Sequence, residues 1–495
     1  MQESVQALNG INTSGSQDNP PQSANTKSHI LLLTLFYLTS RCVFSFLNEA
    51  EFTDAYILFN WSWSTSQKWH PLYPVLIRLF SAVIPDQIFA GRIVSILCGG
   101  AAVIALWKLT ATIYDSRTAF LSALLLIASP QFLWANTRVL TESLFIAISI
   151  ATILFSYRAL CKNKLRDSLF AIFFSGLAIL TRPDGLILLP CALWSIVRAL
   201  QYQKDRLRYL LSILPALSSW IVFLIWVLGR NPQTTYEGEL AFSLQNLSIS
   251  KALLYFATYL ENYPFSLTYP VFLAALLSIF LAPSKNTRHV WLIILAYLHM
   301  AVFGIITIHW AWSSRFLILS LVLVLPECAS FLVSLKTRLL PRTWRIVSTG
   351  VISISLMFAF VGTYLQKDTY KDVKNSAEFI RKNFPNTKVY SDEKIKVPFY
   401  LHRGITFYSQ QESFQAGEIL VLHSFHTPLQ WELKRLSELY NLRVLYVSRA
   451  RTMPLLCNSL LENFASNGFP IIVLKRFEWQ RFESIVIQFG KRKSS

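Results

Sequence analysis

Apolar residues in this chain gather into long runs divided by short polar links. About eleven runs read as membrane spans, near 29–47, 89–113, 118–135, 141–160, 168–181, 185–200, 209–228, 266–282, 289–307, 316–334 and 346–364. A span takes about 20 predominantly apolar residues in a helix. The segment 72–84 is apolar but short, lies between Pro74 and Pro85, and reads as an interfacial or re-entrant helix. The fifth and sixth runs are also short. Thr181-Arg182-Pro183-Asp184-Gly185 joins them, a turn by chemistry, since Pro fixes φ and Gly permits positive φ.

The polar links test this count. With the N-terminus in the cytoplasm, the inner side receives Lys108 and Arg117, then Lys162, Lys164 and Arg166, then Arg198, Lys204, Arg206 and Arg208. Lys285 and Arg288, and finally Lys336, Arg338, Arg342 and Arg345, fall on the same side. The opposite links, 48–88, 136–140, 181–185, 229–265 and 308–315, are poorer in Lys and Arg, and the first is acidic. Cytoplasmic loops carry an excess of Lys and Arg, so this asymmetry predicts an inside N-terminus. An odd number of spans then places residues 365–495 outside.

The two ends of the chain differ from the middle. Residues 1–28 are rich in Ser, Asn and Gln, contain Pro20-Pro21, and read as a disordered cytoplasmic tail. Residues 365–495 alternate helix-like stretches (Asn375–Asn383, Pro428–Leu439, Pro454–Asn467) with short apolar runs at 388–390, 419–422, 443–447 and 471–474. That alternation predicts a small α/β domain with a parallel sheet. The predicted fold class is a polytopic α-helical membrane protein, with residues 29–364 as the membrane domain and an extracytoplasmic α/β domain after it.

Composition agrees. The 495 residues are 53% hydrophobic and only 15% charged, against roughly 25% charged in soluble domains. The net charge of +19 sits mainly between spans and in the C-terminal part. Basic loops there meet anionic lipid and set topology, and no nucleic-acid partner is expected. The six cysteines, Cys42, Cys98, Cys161, Cys191, Cys328 and Cys457, show no disulfide framework or zinc spacing.

Candidate chemistry collects on the outer side. In chain order the ionisable groups there are Glu49, Glu51, Asp54, His70, Arg138, Glu142, Arg182, Asp184, Glu237, Glu239, His309 and Arg315. Five separate loops deliver them to one face. A carboxylate can take a proton from a hydroxyl, and Arg or His can stabilise a departing phosphate. Transfer of a sugar from a lipid phosphate needs both. Each group also has a plainer reading. The loop-one acids can favour a helix N-terminus. Arg138 and Glu142 can close a short loop as a pair, as can Arg182 and Asp184 in their turn, and Arg315 can snorkel. His70 and His309 have no metal-site spacing with the acids. No cofactor is expected, with a divalent metal left open.

The order of motifs carries a resemblance. An acidic first outer loop is followed by Pro71-Leu72-Tyr73-Pro74, Thr141-Glu142-Ser143-Leu144-Phe145, Thr181-Arg182-Pro183-Asp184-Gly185-Leu186 and Ser314-Arg315-Phe316. Together these resemble the GT-C superfamily of membrane glycosyltransferases, in the branch of the protein O-mannosyltransferases and the lipid A aminoarabinose transferase. The resemblance covers roughly residues 30–365. It implies an inverting transfer from a polyprenyl-phosphate sugar to a glycan, lipid or protein acceptor, with a loop-one acid as base. Asn48-Glu49-Ala50 and Thr53-Asp54-Ala55-Tyr56-Ile57 each match a family pattern with one acid missing, so the order of preference for the base is Asp54, Glu49, Glu51. Arg138, Glu142, Arg182, Asp184, His70, His309 and Arg315 are the expected donor-phosphate and substrate groups. A bacterial inner membrane is the expected location.

Two rivals make different demands. A transporter or lipid flippase needs charged or broken-helix sites at the bilayer midplane, and almost no acid is expected deep inside a span. A non-catalytic scaffold with an outer binding domain needs no cavity beside the first loop.

Overall fold

The structure is a computed structural model. It describes residues 22–48, 50–51, 53–61, 69–162, 164–202, 206–230, 245, 248–250, 253, 260, 263–264, 266–281, 290–306, 314–408, 413–424, 427–452 and 480–493. The membrane domain is helical. Its helices are α1 (Gln22–Leu47), α2 (Thr53–Phe59), α3 (Leu72–Ser81), α4 (Gln87–Ile113), α5 (Ser116–Ala128), α6 (Pro130–Asn136), α7 (Glu142–Lys162) and α8 (Leu165–Thr181). They continue as α9 (Leu189–Tyr202), α10 (Arg206–Ala216), α11 (Ser218–Leu228), α12 (Tyr269–Leu281), α13 (Val290–Ile306), α14 (Ile318–Ser334) and α15 (Pro341–Leu365).

The described residues of the apolar runs are mainly helical. Among the described residues six helices are long and apolar enough to cross a membrane, or seven if α5 and α6, bent by 65° at their junction, count as one span. The chain is an integral membrane protein. Helix α1 starts at Gln22, so the last residues assigned to the polar tail are helical. The short 72–84 segment is α3, ten residues long.

Local chemistry explains several boundaries. Asp86 caps α4 by accepting from the backbone N–H of Ile88 (2.9 Å) and Phe89 (3.1 Å), and Asp115 caps α5 in the same way through Arg117 and Thr118. Pro130 removes a backbone donor and pushes Ser129 into extended geometry (φ −67°, ψ 125°), which breaks the span between α5 and α6. Helices α7 and α14 are central, with 67% and 78% of their apolar windows buried, whereas α1 and α15 are peripheral at 28% each. Leu31, Leu35 and Phe46 of α1 and Met357 of α15 lie exposed, as lipid-facing side chains do. One acid departs from the expectation of empty span interiors. Glu327 sits inside α14, next to Pro326.

The C-terminal domain follows α15 directly. It contains α16 (Lys371–Asn383), β1 (Val389–Ser391), α17 (Lys396–Leu401), β2 (Thr406–Phe407), β3 (Ile419–His423), α18 (Leu429–Leu439), β4 (Tyr440–Thr452) and β5 (Gln480–Arg492). The sheet order is β2-β1-β3-β5-β4. Strand β1 pairs parallel with β2 and β3, but β5 pairs antiparallel with both β3 and β4. The expected parallel sheet is therefore mixed. Strand β5 escaped the sequence reading because its apolar centre is short, Ile485-Val486-Ile487, between Arg481, Glu483 and Gln488. The helix predicted over Pro454–Asn467 and the strand over 471–474 lie outside the described residues.

Strand periodicity distributes this sheet between two cores. Ile419 and Val421 of β3 join the large core that also holds Tyr56, Trp134 and Leu319 of the membrane domain. Leu420 and Leu422 face the other way, with Tyr390, Leu436, Ile487 and Phe489. Alternate side chains of a strand point to opposite faces, so one face of the sheet is continuous with the membrane domain.

Candidate active site

The first loop is held by a carboxylate. Glu51 is 1% exposed and accepts from Arg92 Nε at 2.6 Å. Arg92 turns its other two nitrogens to the carbonyls of Ser45 (2.9 Å) and Asn48 (2.8 Å). The second Glu51 oxygen accepts from the backbone N–H of Val139 at 3.2 Å. Glu51 thus ties loop one to α4 and to the link after α6, and both of its oxygens are engaged.

Asp54 is placed differently. It lies in the first turn of α2, where the helix dipole favours an acid, and its side chain is 18% exposed. Arg315, in the 3-10 turn Ser314–Leu317, donates to Asp54 Oδ2. From there ion pairs run on without a break. Arg315 Nε lies 3.7 Å from Glu142 Oε1, which accepts from an Arg182 Nη at 2.9 Å. Arg182 Nε reaches Asp184 Oδ1 at 3.0 Å, and Asp184 Oδ2 lies 3.3 Å from His299 Nε2. Thr141 Oγ1 accepts from Arg182 at 3.3 Å. Five elements contribute: α2, the start of α7, the turn after α8, α13 and the 3-10 turn before α14.

The turn after α8 has a steric requirement. A Cβ on Gly185 would lie 2.4 Å from the backbone of Ala178 and Ile179. Only glycine lets residues 182–185 fold back onto α8 and hold Arg182 and Asp184 beside Glu142. Charges this deeply buried need partners, because removing one member of a buried pair typically costs about 3–5 kcal/mol.

A cavity of about 970 Å³ opens one helical turn from Asp54. Tyr56, Ile57 and Asn60 of α2 form one side, and Lys374, Glu378 and Arg381 of α16 with Phe399 and Tyr400 of α17 form the other. Helices α2 and α17 touch directly: the Tyr56 and Tyr400 hydroxyls are 2.5 Å apart and the Phe59 and Phe399 rings stack at 5.5 Å. Burial pushes both hydroxyls above the ordinary tyrosine range.

The predicted residues divide into three groups. Asp54, Glu142, Arg182, Asp184 and Arg315 come together in the network. Glu51, Arg138 and His70 make their described contacts elsewhere, Glu51 with Arg92 and Val139 as above. Arg138 donates to the carbonyls of Ala50 (3.3 Å) and Gln366 (2.9 Å), tying loop one to the end of α15. His70 Nδ1 bonds the carbonyl of Ile179, and its ring lies 4.7 Å from that of Trp226. Glu49, His309, Glu237 and Glu239 lie outside the described residues. The sequence reading missed His299 and Arg92. Each is an ionisable group inside an otherwise apolar run, and that isolation was the available signal. Among the described residues no group of three or more His, Cys, Asp and Glu side chains is placed to hold a metal ion.

Comparison with known proteins bears on the fold. The family described as dolichyl-phosphate-mannose-protein mannosyltransferase matches residues 68–228. The apo structure of ArnT from Cupriavidus metallidurans superposes with a TM-score of 0.60 at 13% identity, covering 86% of this chain and 97% of that one. The structure of the same ArnT bound to undecaprenyl phosphate gives 0.57 at 13% identity, covering 84% and 96%. An apo oligosaccharyltransferase from Archaeoglobus fulgidus gives 0.47 at 12% identity, covering 79% and 65%. No curated protein sequence matches the chain. The chain is a multi-helix membrane protein with the GT-C fold. Its sequence similarity to the mannosyltransferase family runs from just before α3 to the end of α11.

Proposed function

We propose that this protein is an inverting membrane glycosyltransferase that moves a sugar from a polyprenyl phosphate to an acceptor hydroxyl at the outer face of a bacterial inner membrane. The observation that carries the reading is the unbroken line of charge from Asp54 through Arg315, Glu142 and Arg182 to Asp184, which His299 meets at its far end. It sets a partly exposed carboxylate against the Arg315 guanidinium, with Arg182 beyond Glu142. The undecaprenyl phosphate bound in the ArnT structure supports the donor class.

In this reading Asp54 is the base, since both oxygens of Glu51 are committed to Arg92 and Val139. Asp54 takes the proton of the acceptor hydroxyl. The oxygen attacks the anomeric carbon from the face opposite the phosphate, and the bond between that carbon and the phosphate oxygen breaks. Its electron pair leaves with the polyprenyl phosphate, which Arg315 and Arg182 stabilise. Positioned general bases contribute about 10²–10⁴-fold, and a charge clamp on the leaving group about 10²–10³-fold. Arg315 also holds Asp54 until a donor phosphate competes for the guanidinium and releases the carboxylate. The cavity beside Asp54 offers the acceptor a route, and its presence disfavours the scaffold reading. An inside N-terminus and an outside C-terminal domain follow from the charge asymmetry of the links.

The test is transfer of labelled sugar from synthetic polyprenyl-phosphate donors in proteoliposomes. Asp54→Asn is expected to lower turnover by about 10²–10⁴-fold while leaving donor binding in place. Wild-type turnover in that variant rejects the mechanism.

A further inference from the structure

The sheet of the C-terminal domain leaves one end of one face uncovered. The register of β4 with β5 shows which residues lie there. Val444 stands opposite Ile487 and Val447 opposite Ile485, on either side of the bulge between Val444 and Tyr446. Ile485 and Ile487 belong to the second core, with Leu420 and Leu422. Directly opposite residues of paired strands share a face, so the bulge leaves both valines on that side of the sheet. Beyond them on the same face come Arg449 and Arg451 of β4 and Arg481 and Glu483 of β5. Helix α18 covers only the start of β4, where Leu436 joins Tyr440. Val444 is 53% and Val447 39% exposed. Arg449 pairs with Glu483 at 3.3 Å. Arg451 stands directly opposite Arg481. Like charges so placed cost stability, and neither arginine has an ion pair among the described residues.

This end of the sheet is the one beside the membrane. Helix α15 ends at Leu365. Tyr364 is 52% exposed, and the Lys367 ammonium lies 4.1 Å from the centre of its ring. An exposed tyrosine with a snorkelling lysine marks a membrane–water interface. The link that follows is folded, since Gln366, Lys367 and Thr369 each donate a backbone N–H to a carbonyl three residues back. Tyr370 therefore stays near that level, and its ring lies 6.2 Å from that of Phe482, next in the chain to Arg481. Ala450 and Phe482 face the large core shared with the membrane domain. Arg451 and Arg481, one position along each strand, take the opposite face. We propose that this face docks on anionic phospholipid of the leaflet beneath it. The valines meet the head-group layer, and lipid phosphates settle between Arg451 and Arg481, giving the opposed cations a negative partner. Apolar area and cations on one face are what interfacial binding uses. The contact gives the C-terminal domain a second footing, apart from that of α17 on α2, and it makes no use of the assignment of Asp54.

The experiment is hydrogen exchange on the full-length protein in nanodiscs, comparing discs of phosphatidylcholine with discs that also contain phosphatidylglycerol. Strand β4 is an edge strand, and its backbone N–H groups over 446–452 are expected to exchange at least about fivefold more slowly in the anionic discs. One arginine near an anionic surface is worth about that factor. Added salt should shrink the difference. Arg451→Gln combined with Arg481→Gln should erase it, with exchange in neutral discs left as in the wild type. Where that variant does not fold, the lipid and salt series on the wild type decides alone. Equal exchange in the two kinds of disc overturns the proposal. Equal protection by free glycerophosphate in neutral discs also overturns it, making the site one for a soluble anion. Protection that follows protein concentration in detergent overturns it too, making the face an interface between two copies of the chain.

Discussion

Glu51 and Asp54 are three residues apart, carry the same group, and should fail in opposite ways. Glu51→Gln removes one charge from a pair in which Arg92 also serves two backbone carbonyls. The guanidinium is then left with neutral acceptors in a site where its own side chain is 11% exposed. Removing one partner of a buried ion pair costs about 3–5 kcal/mol, and whole domains have only about 5–15 kcal/mol to lose. The expected result is a clearly lower unfolding midpoint in detergent, with near-native kcat per folded molecule. Pairing Glu51→Gln with Arg92→Met should cost less than the sum of the two, because no unpaired charge is left behind. Asp54→Asn should instead hold the midpoint within a few degrees and lose about 10²–10⁴-fold in kcat. The assay is thermal unfolding and transfer on the same preparations. If Glu51→Gln keeps the native midpoint and abolishes turnover, the division of roles between the two acids is wrong.

Arg315→Ala should lower kcat by about 10²–10³-fold, and Arg315→Lys should recover little, since a lysine cannot address Asp54 and Glu142 together; single-turnover transfer measures both. Gly185→Ala should disturb Arg182 and Asp184 through the 2.4 Å contact of the added Cβ with backbone, lowering transfer activity and the unfolding midpoint together. The C-terminal domain should weaken in alkali. Burial raises the Tyr400 and Tyr408 hydroxyls above their ordinary value in the folded state. The unfolded chain therefore gives up protons first, and stability that is full below about pH 10 falls as pH rises beyond it. Tyr400→Phe should flatten that fall in a pH series of unfolding midpoints.

The sequence made the spans legible because twenty apolar residues in a row have few other uses. The same logic found Asp54, Arg182 and Arg315, which break the apolar pattern at span ends. The family patterns ranked Asp54 above Glu51, but the apolar pattern by itself offered no physical reason for that order. Their difference lies in Arg92, forty-one residues from Glu51 and inside an apolar run. Arg138 reads as a phosphate ligand by type and side, while the bonds described for it go to the carbonyls of Ala50 and Gln366, which no local pattern announces. The sheet was misjudged for a related reason. Strand direction depends on pairing between distant segments, and the centre of β5 offers only three consecutive apolar residues.

The place of β5 in the sheet has a consequence for biosynthesis. It follows every other strand in the chain yet lies between β3 and β4. A ribosome working from the N-terminus releases the loop carrying Asp54 long before it releases the strand that closes the sheet. Until then β3 and β4 have no common neighbour, and α17 has an unfinished platform behind it. The membrane helices can insert and pack in the meantime, but the contact of α17 with α2 is among the last parts to form. A chain stopped short of Gln480 would hold its membrane helices and β1 to β4 without the strand that joins β3 to β4.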